Sequence, residues 1–324
     1  MNILITELLC FAFIVQKRDK DLQNRNSINK IKETPSFENK NYVMPENKFK
    51  KYLANFIETL QKKFDDEDLS FLFNNISSLK LKVLENNKLR SILFPNEAAY
   101  YDVCKNCIVF GKEKYIEMSI YHELFHVAST VYTKESKFSG FSQPIEKLLN
   151  HFGIGFTEGY TDLLANRYFN ITIAYDIEAE ISKQIENIVG RKVMEKLYLR
   201  ADLKSLVSEL SEYSSLEEIN DFINNVDMIC LNKFVNKNKV LMSLTANKIL
   251  GFIYNISMNK LKKDIEKDKI FNEILTKNLI EAHLRHLAIL FENYGIKCWD
   301  SNEIKNLNQE KVKKLNNVKL MSFY

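Results

Sequence analysis

The sequence predicts an α+β protein in which helix dominates, with a small sheet early in the chain and a helical body behind it. Only 8 Gly and 4 Pro interrupt the 324 residues, which favours long helices. Runs rich in β-branched and aromatic residues, typical of short strands, occur at residues 79–84 and 98–110. Beyond Pro144, apolar residues recur at the helical period with short breaks.

Length and charge limit the domain count and the kind of partner. The chain is 45% hydrophobic, enough for one large domain or two ordinary ones. We divide it into an apolar segment and polar linker (1–41), a core (42–170) and a helical subdomain (171–324). The 46 basic and 42 acidic residues leave a net charge of only +4 and are interspersed. A nucleic-acid-binding protein is therefore not expected.

The N-terminal segment allows two interpretations. Residues 3–15 are almost wholly apolar, yet they contain Glu7 and no basic residue precedes them. A secretory signal has a positive start, and a membrane span needs about 20 residues. We expect a docked helix or strand, with a poor signal or a membrane-associated segment as the alternative. The five cysteines are too few for a disulfide scaffold and favour a cytoplasmic protein, while a secreted or membrane-associated one remains the alternative.

The elements before the centre of the chain follow from local patterns. Apolar spacing predicts helices at 49–64 and 69–76, and then a strand at 79–84. Residues 100–103 and 108–110 are predicted to pair as a hairpin, with Cys104 and Cys107 near its turn. These two thiols have the spacing of a zinc knuckle, but no second pair follows them, so we interpret them as part of the hairpin.

Periodicity then predicts a central helix at 113–133 and a series of helices after it. On the central helix an apolar stripe is expected to face the core; it consists of Ile116, Ile120, Leu124, Val127 and Val131. The later helices are predicted at 145–151, 158–169, 177–199, 203–213, 216–234, 240–257 and 271–294.

The central helix carries the first candidate site, His122-Glu123-Leu124-Phe125-His126. Histidines four residues apart on a helix share a face, so both imidazoles can reach one metal ion. Glu123 lies close enough to accept a proton from a water bound to that ion. The alternative is two histidines on a half-exposed helix with a Glu between them by chance.

A second segment, residues 155–168, supplies two carboxylates one helical turn apart, Glu158 and Asp162. We expect Thr157 to cap this helix. One carboxylate can complete a metal site, and the other can accept the free N–H of a ligating histidine. Without the histidine motif, such a pair would be a solvated acidic face.

Together the two segments resemble the gluzincin branch of zinc metallopeptidases, which includes thermolysin. The resemblance implies a zincin-like fold and a Zn²⁺ ion held by His122, His126 and Glu158. It also implies Glu123 as general base and Asp162 as the carboxylate that hydrogen-bonds a ligating histidine. It covers only residues 113–168. The 31 positions between His126 and Glu158 are more than is usual in that branch. Residues 137–144 are therefore interpreted as an inserted loop followed by a short helix, which either holds substrate or pads the surface.

The predicted function is zinc-dependent hydrolysis of a peptide or protein substrate, which could bind along an edge of the 98–110 hairpin. Membrane association is possible but has no support beyond residues 3–15. The alternatives are a catalytically inactive zinc-binding or scaffold protein, against which Glu123 weighs, and a membrane-associated or secreted protease effector. His283 and His286 are candidates to stabilise an oxyanion. His151 is expected to end the helix at 145–151.

Overall fold

The computed structural model describes residues 46–83, 99–111, 116–133, 136–144, 151–233, 238–266 and 273–298. The predictions for residues 3–15, for the linker at 16–41 and for the helix at 145–150 lie outside these ranges. Within them the protein is mostly helical with a small sheet, which confirms the predicted class. No helix in the described ranges is long and apolar enough to cross a membrane.

The first elements are two helices and a three-stranded sheet: α1 (Glu46–Gln61), α2 (Ser70–Ile76), β1 (Lys80–Val83), β2 (Ala99–Asp102) and β3 (Cys107–Phe110). The strand order is β1-β3-β2, with β1 parallel and β2 antiparallel to β3. The hairpin prediction is confirmed. In this order β1 and β2 are the outer strands of the described sheet, and all four residues of the central β3 are buried.

Helix α3 (Ile116–Ala128) is shorter than predicted. Ser129 and Thr130 donate their hydroxyls to backbone oxygens of its last turn, at Phe125 and His126 respectively. The chain then leaves the helix and forms β4 (Thr130–Tyr132). The predicted stripe is fully buried at Ile116, Ile120, Leu124 and Val127, but Val131 lies in the strand instead. The helix is in fact buried on nearly every side.

The described residues between the two candidate motifs include short strands, contrary to the prediction of a loop at residues 137–144. Strand β5 (Lys137–Ser139) pairs antiparallel with β4, and β6 (Gln143–Pro144) pairs with β7 (His151–Phe152). His151 therefore lies in a strand, and its predicted place at a helix end is wrong. Gly140 has a φ of 56°, and a Cβ there would lie 2.6 Å from the ring of Tyr198.

Helix α4 (Ile154–Phe169) begins one turn earlier than expected. Thr157 lies inside this helix, where its hydroxyl bonds the oxygen of Gly153, so the prediction that it caps the helix is wrong. The cap comes from far along the chain instead. The buried carboxylate of Asp227 accepts hydrogen bonds from the backbone N–H groups of Gly153 and Gly155, both at 2.8 Å. A carboxylate at this end also complements the helix dipole.

The helical body consists of α5 (Asp176–Val189), α6 (Arg191–Leu199), α7 (Leu203–Ser211), α8 (Leu216–Asn232), α9 (Lys239–Glu266) and α10 (Glu273–Asn293). The single helix predicted at 177–199 is broken at Gly190, which has a φ of 98°. Helix α4 packs against α3, α5 and α8. It does so very closely, because a Cβ on Gly155 would collide with Val226 of α8 and one on Gly159 with Glu178 of α5.

Candidate metal centre

Three side chains from two helices converge at one point. His122 and His126 extend from α3 with their Nε2 atoms 3.0 Å apart. Glu158 extends from α4 and places Oε2 3.3 Å from Nε2 of His122 and 3.6 Å from Nε2 of His126. Within the described part of the chain, these three residues are the group whose ligand atoms lie close enough together to hold a metal ion.

The dimensions of this triangle fit a zinc ion. Zinc bonds to nitrogen and oxygen are about 2.0–2.1 Å long, so two ligand atoms in tetrahedral positions lie about 3.3–3.4 Å apart. The three observed separations are 3.0, 3.3 and 3.6 Å. The donor set, two imidazoles and a carboxylate, is also one that zinc prefers in catalytic sites.

Asp162 fixes the orientation of His122. Its Oδ1 lies 2.6 Å from Nδ1 of His122, and a carboxylate can only accept at that bond, so Nδ1 carries the proton. Oδ2 of Asp162 accepts hydrogen bonds from the backbone N–H groups of Ala174 and Tyr175, both at 2.6 Å. With Nδ1 protonated, the Nε2 of a neutral His122 presents a lone pair to the centre.

Ser139 contacts His126 in a similar way, and no local sequence pattern predicts this contact. Its hydroxyl donates to the backbone oxygen of His126 at 3.0 Å. Since a hydroxyl has only one proton to donate, the oxygen acts as acceptor for Nδ1 of His126, at 3.4 Å. Residues 137–144 were predicted either to hold substrate or to pad the surface. Ser139, in strand β5 of this segment, instead contacts a candidate metal ligand.

The electrostatics of the site favour positive charge at its centre. Burial alone would lower the pKa of His122, but Asp162, Glu158 and Glu123 together raise it well above its ordinary value. Burial alone would raise the pKa of Glu158, but His126 and His122 hold it well below its ordinary range. A cation placed between these groups is therefore stabilised.

Glu123 follows His122 directly in α3 and is only 4% exposed. The buried Tyr198 also lies near the site, and its hydroxyl contacts Thr161 of α4 at 2.5 Å. Burial raises the pKa of Tyr198, and the negative charges of Glu158 and Glu123 raise it further. Tyr198 thus stays a neutral hydroxyl next to the acidic side of the site.

Tyr175 is a second contact that sequence reasoning missed. It precedes α5, and its ring lies nearly parallel to that of His122, with 6.0 Å between the ring centres and 21° between the planes. No local pattern singles out this tyrosine, because its place beside His122 depends on how α4 and α5 are joined.

The remaining histidines predicted for the site lie elsewhere in the fold. His286 is on α10, where Nδ1 lies 3.6 Å from Oε2 of Glu180 on α5. His283 is on the same helix, and burial lowers its pKa. The structure places His286 beside Glu180 rather than in the cluster of His122, His126 and Glu158. The prediction that either histidine stabilises an oxyanion stays untested.

Comparison with known proteins adds no relative to this description. No family model, curated protein or solved structure matches the chain.

Proposed function

We propose that this protein is a zinc-dependent hydrolase that cleaves peptide bonds. The observation that carries the proposal is the convergence of three electron-pair donors, Nε2 of His122, Nε2 of His126 and Oε2 of Glu158, within 3.6 Å of one another. Three such atoms repel one another unless a proton or a metal cation lies between them. Since Asp162 and Ser139 engage both Nδ1 atoms, the Nε2 lone pairs are directed at that cation.

His122, His126 and Glu158 would hold the ion. Three protein ligands with a position left for water are the pattern of catalytic rather than structural zinc sites. When bound, zinc supplies a Lewis acid that polarises a carbonyl and lowers the pKa of water to about 7. The two-helix arrangement supports our expectation of a zincin-like core, in which a small sheet precedes the ligand helix.

Glu123 is the proposed general base. A water molecule transfers a proton to its carboxylate as the water oxygen bonds to the peptide carbonyl carbon. When the bond from that carbon to nitrogen breaks, Glu123 returns the proton to the leaving amine. A buried carboxylate suits this task because it exchanges protons with the substrate in preference to bulk water.

Strand β2 is the proposed site for an extended peptide. It is the edge of the sheet that contacts α3, so a peptide added to it would run beside the ligand helix. The four cysteines that the structure describes are free thiols, which is typical of a reducing compartment, and we therefore expect the enzyme in the cytoplasm.

The decisive experiment compares the wild-type protein with Glu123→Gln. We expect the purified wild type to contain zinc and to cleave members of a peptide library. Glu123→Gln should retain zinc and fold while losing at least about 100-fold in rate, the scale of general-base catalysis. Glu117→Gln is the matched control, because Glu117 is an exposed residue of the same helix whose side chain pairs with Lys48.

Each result has a clear meaning. Equal turnover in Glu123→Gln and the wild type would remove Glu123 from the mechanism. A wild-type protein that binds zinc but cleaves no peptide would point to the alternative of a catalytically inactive zinc-binding protein. A wild-type protein that takes up no zinc would contradict the metal centre itself.

A further inference from the structure

A completely buried ion pair lies one contact away from the candidate metal centre. Lys233, directly after α8, and Glu178 of α5 are both 0% exposed, and Nζ of Lys233 donates to Oε2 of Glu178 at 2.6 Å. Among the described residues, Oε1 of Glu178 has no hydrogen-bond partner. Removing two charges from water is costly, and apolar residues in place of such a pair are often equally stable or more stable. Stability alone therefore does not account for the pair.

The ammonium group of Lys233 lies over two tyrosine rings. Nζ is 5.1 Å from the ring centre of Tyr175 and 5.3 Å from that of Tyr294. Both distances are within the range of cation–π attraction, which strengthens where water is excluded. The ion pair therefore holds Tyr175 from the side of the helical body.

Tyr175 in turn reaches His122 by two routes. Its ring lies against the imidazole, with 6.0 Å between centres. Its backbone N–H donates to Oδ2 of Asp162, and Oδ1 of Asp162 contacts Nδ1 of His122. A displacement of Tyr175 would thus alter both the face of the imidazole and the carboxylate that orients it.

The neighbouring residues of the same segment are held too. The backbone N–H of Ala174 donates to Asp162 at 2.6 Å, and the hydroxyl of Tyr294 donates to Oδ1 of Asp176 at 2.9 Å. Residues 174–176, which join α4 to α5, are therefore fixed on one side by Asp162 and on the other by groups of the helical body.

We propose that Lys233 is a positioning residue: paired with Glu178, it holds Tyr175 against His122 and so orients this ligand for zinc. The proposal rests on the zinc site proposed above. Lys233 supplies none of the three ligand atoms, and it acts through Tyr175 and Asp162.

The first test replaces the pair by neutral side chains of similar size, Lys233→Met with Glu178→Gln, so that no unpaired charge is left buried. Zinc affinity is measured by competition with a chelator, alongside the free energy of unfolding of the metal-free protein. We expect the double variant to fold and to lose about tenfold in zinc affinity, the lower end of the range for groups that orient a ligand. Unchanged affinity in the folded variant would overturn the proposal.

The second test asks whether Lys233 acts through Tyr175. Tyr175→Leu removes the ring of a partly exposed residue and keeps its backbone N–H, so it is expected to fold and to lose zinc affinity to a similar extent. In that background, replacing the ion pair should cause no further loss, because two residues that act through one contact are not additive. Fully additive losses would overturn the coupling.

Leu250→Ala is the matched control for general destabilisation. Leu250 is fully buried in α9, and this substitution opens a cavity in the core while leaving the side chains of residues 174–176 unchanged. If it lowered zinc affinity as much as the ion-pair variant at equal loss of stability, the pair would be merely structural. A wild-type protein that binds no zinc would instead contradict the proposed function, so the two failures are distinguishable.

Discussion

Two carboxylates of α4, one turn apart, differ in what they touch. Oε2 of Glu158 faces both Nε2 atoms, whereas Asp162 contacts Nδ1 of His122 and two backbone N–H groups. Glu158 lies one turn inside α4, which begins at Ile154. Glu158 reaches the histidines through the length of its side chain and the packing of α4 against α3.

Single substitutions should separate the role of Glu158 as a metal ligand from that of Asp162, which orients His122. Glu158→Ala should remove zinc almost completely, because two histidines and water make a weak site. Asp162→Asn should retain zinc with about 10- to 100-fold lower affinity, the scale of groups that orient a ligand. Equilibrium dialysis against a chelator measures both variants. Full occupancy in Glu158→Ala together with loss in Asp162→Asn would reverse the assignment.

Sequence reasoning located residues that act through local spacing. His122, Glu123 and His126 share one helical segment, and Glu158 and Asp162 share another, so helix geometry alone brings each set together. Ser139, Tyr175 and Lys233 could not be located in this way. Their places beside the site depend on how strands and helices distant in sequence pack, and isolated Ser, Tyr or Lys residues are common at any surface.

At the scale of elements, the order of the three-stranded sheet selects the strand for a substrate. The sequence predicted the hairpin but could not choose between its two strands. Because β3 lies between the other two described strands, β2 is the described edge strand that contacts α3. Strand β1, at the opposite edge, provides a comparison within the same sheet.

The prediction is that proline in β2 raises KM with little change in zinc content. Consecutive N–H groups of a strand point to opposite edges, so one of Ala99→Pro and Tyr100→Pro removes only an outward N–H and leaves the bonds to β3 intact. Lys80→Pro and Leu81→Pro in β1 are the controls and should leave KM unchanged. Unchanged KM in both β2 variants would place the substrate elsewhere.

Element boundaries were predicted less well than element types, and the reasons are specific. Helix α3 ends early because Ser129 and Thr130 bond its last turn. Helix α4 begins early because Asp227, 74 residues after Gly153, caps it. Neither the tertiary cap nor the pairing of β6 with β7 has a local signal. The predicted domain boundary at 170/171 falls between α4 and α5, which pack closely, and it stays a prediction.

Asp227 makes the free energy of unfolding of the whole molecule depend on pH. Burial raises its pKa to about 7, although the N–H groups of Gly155, Gly153 and Ile154 oppose the shift. In the unfolded chain the pKa is about 3.9. Between about pH 4 and pH 7 the native state therefore binds more protons than the unfolded chain does. The contribution of Asp227 to stability is fully present below about pH 4 and is lost as the pH rises to about 7.

Asp227→Asn removes this dependence, because the amide stays neutral. Urea unfolding at pH 5 and pH 8 should show the variant gaining stability relative to the wild type at the higher pH, by up to about 1.4 kcal/mol per pH unit crossed below 7. Asp221→Asn, on the exposed side of the same helix, is the control. An equal difference at both pH values would mean that the capped helix end keeps Asp227 ionised in the native state.

The cap on α4 also decides when the metal centre can form during synthesis. His126 leaves the ribosome roughly 100 residues before Asp227, which at about 5–20 residues per second is about 5–20 seconds. Until then, α8, which anchors the helix that carries Glu158, has not yet been made. Zinc uptake by the nascent chain is therefore expected only once synthesis has passed Lys233.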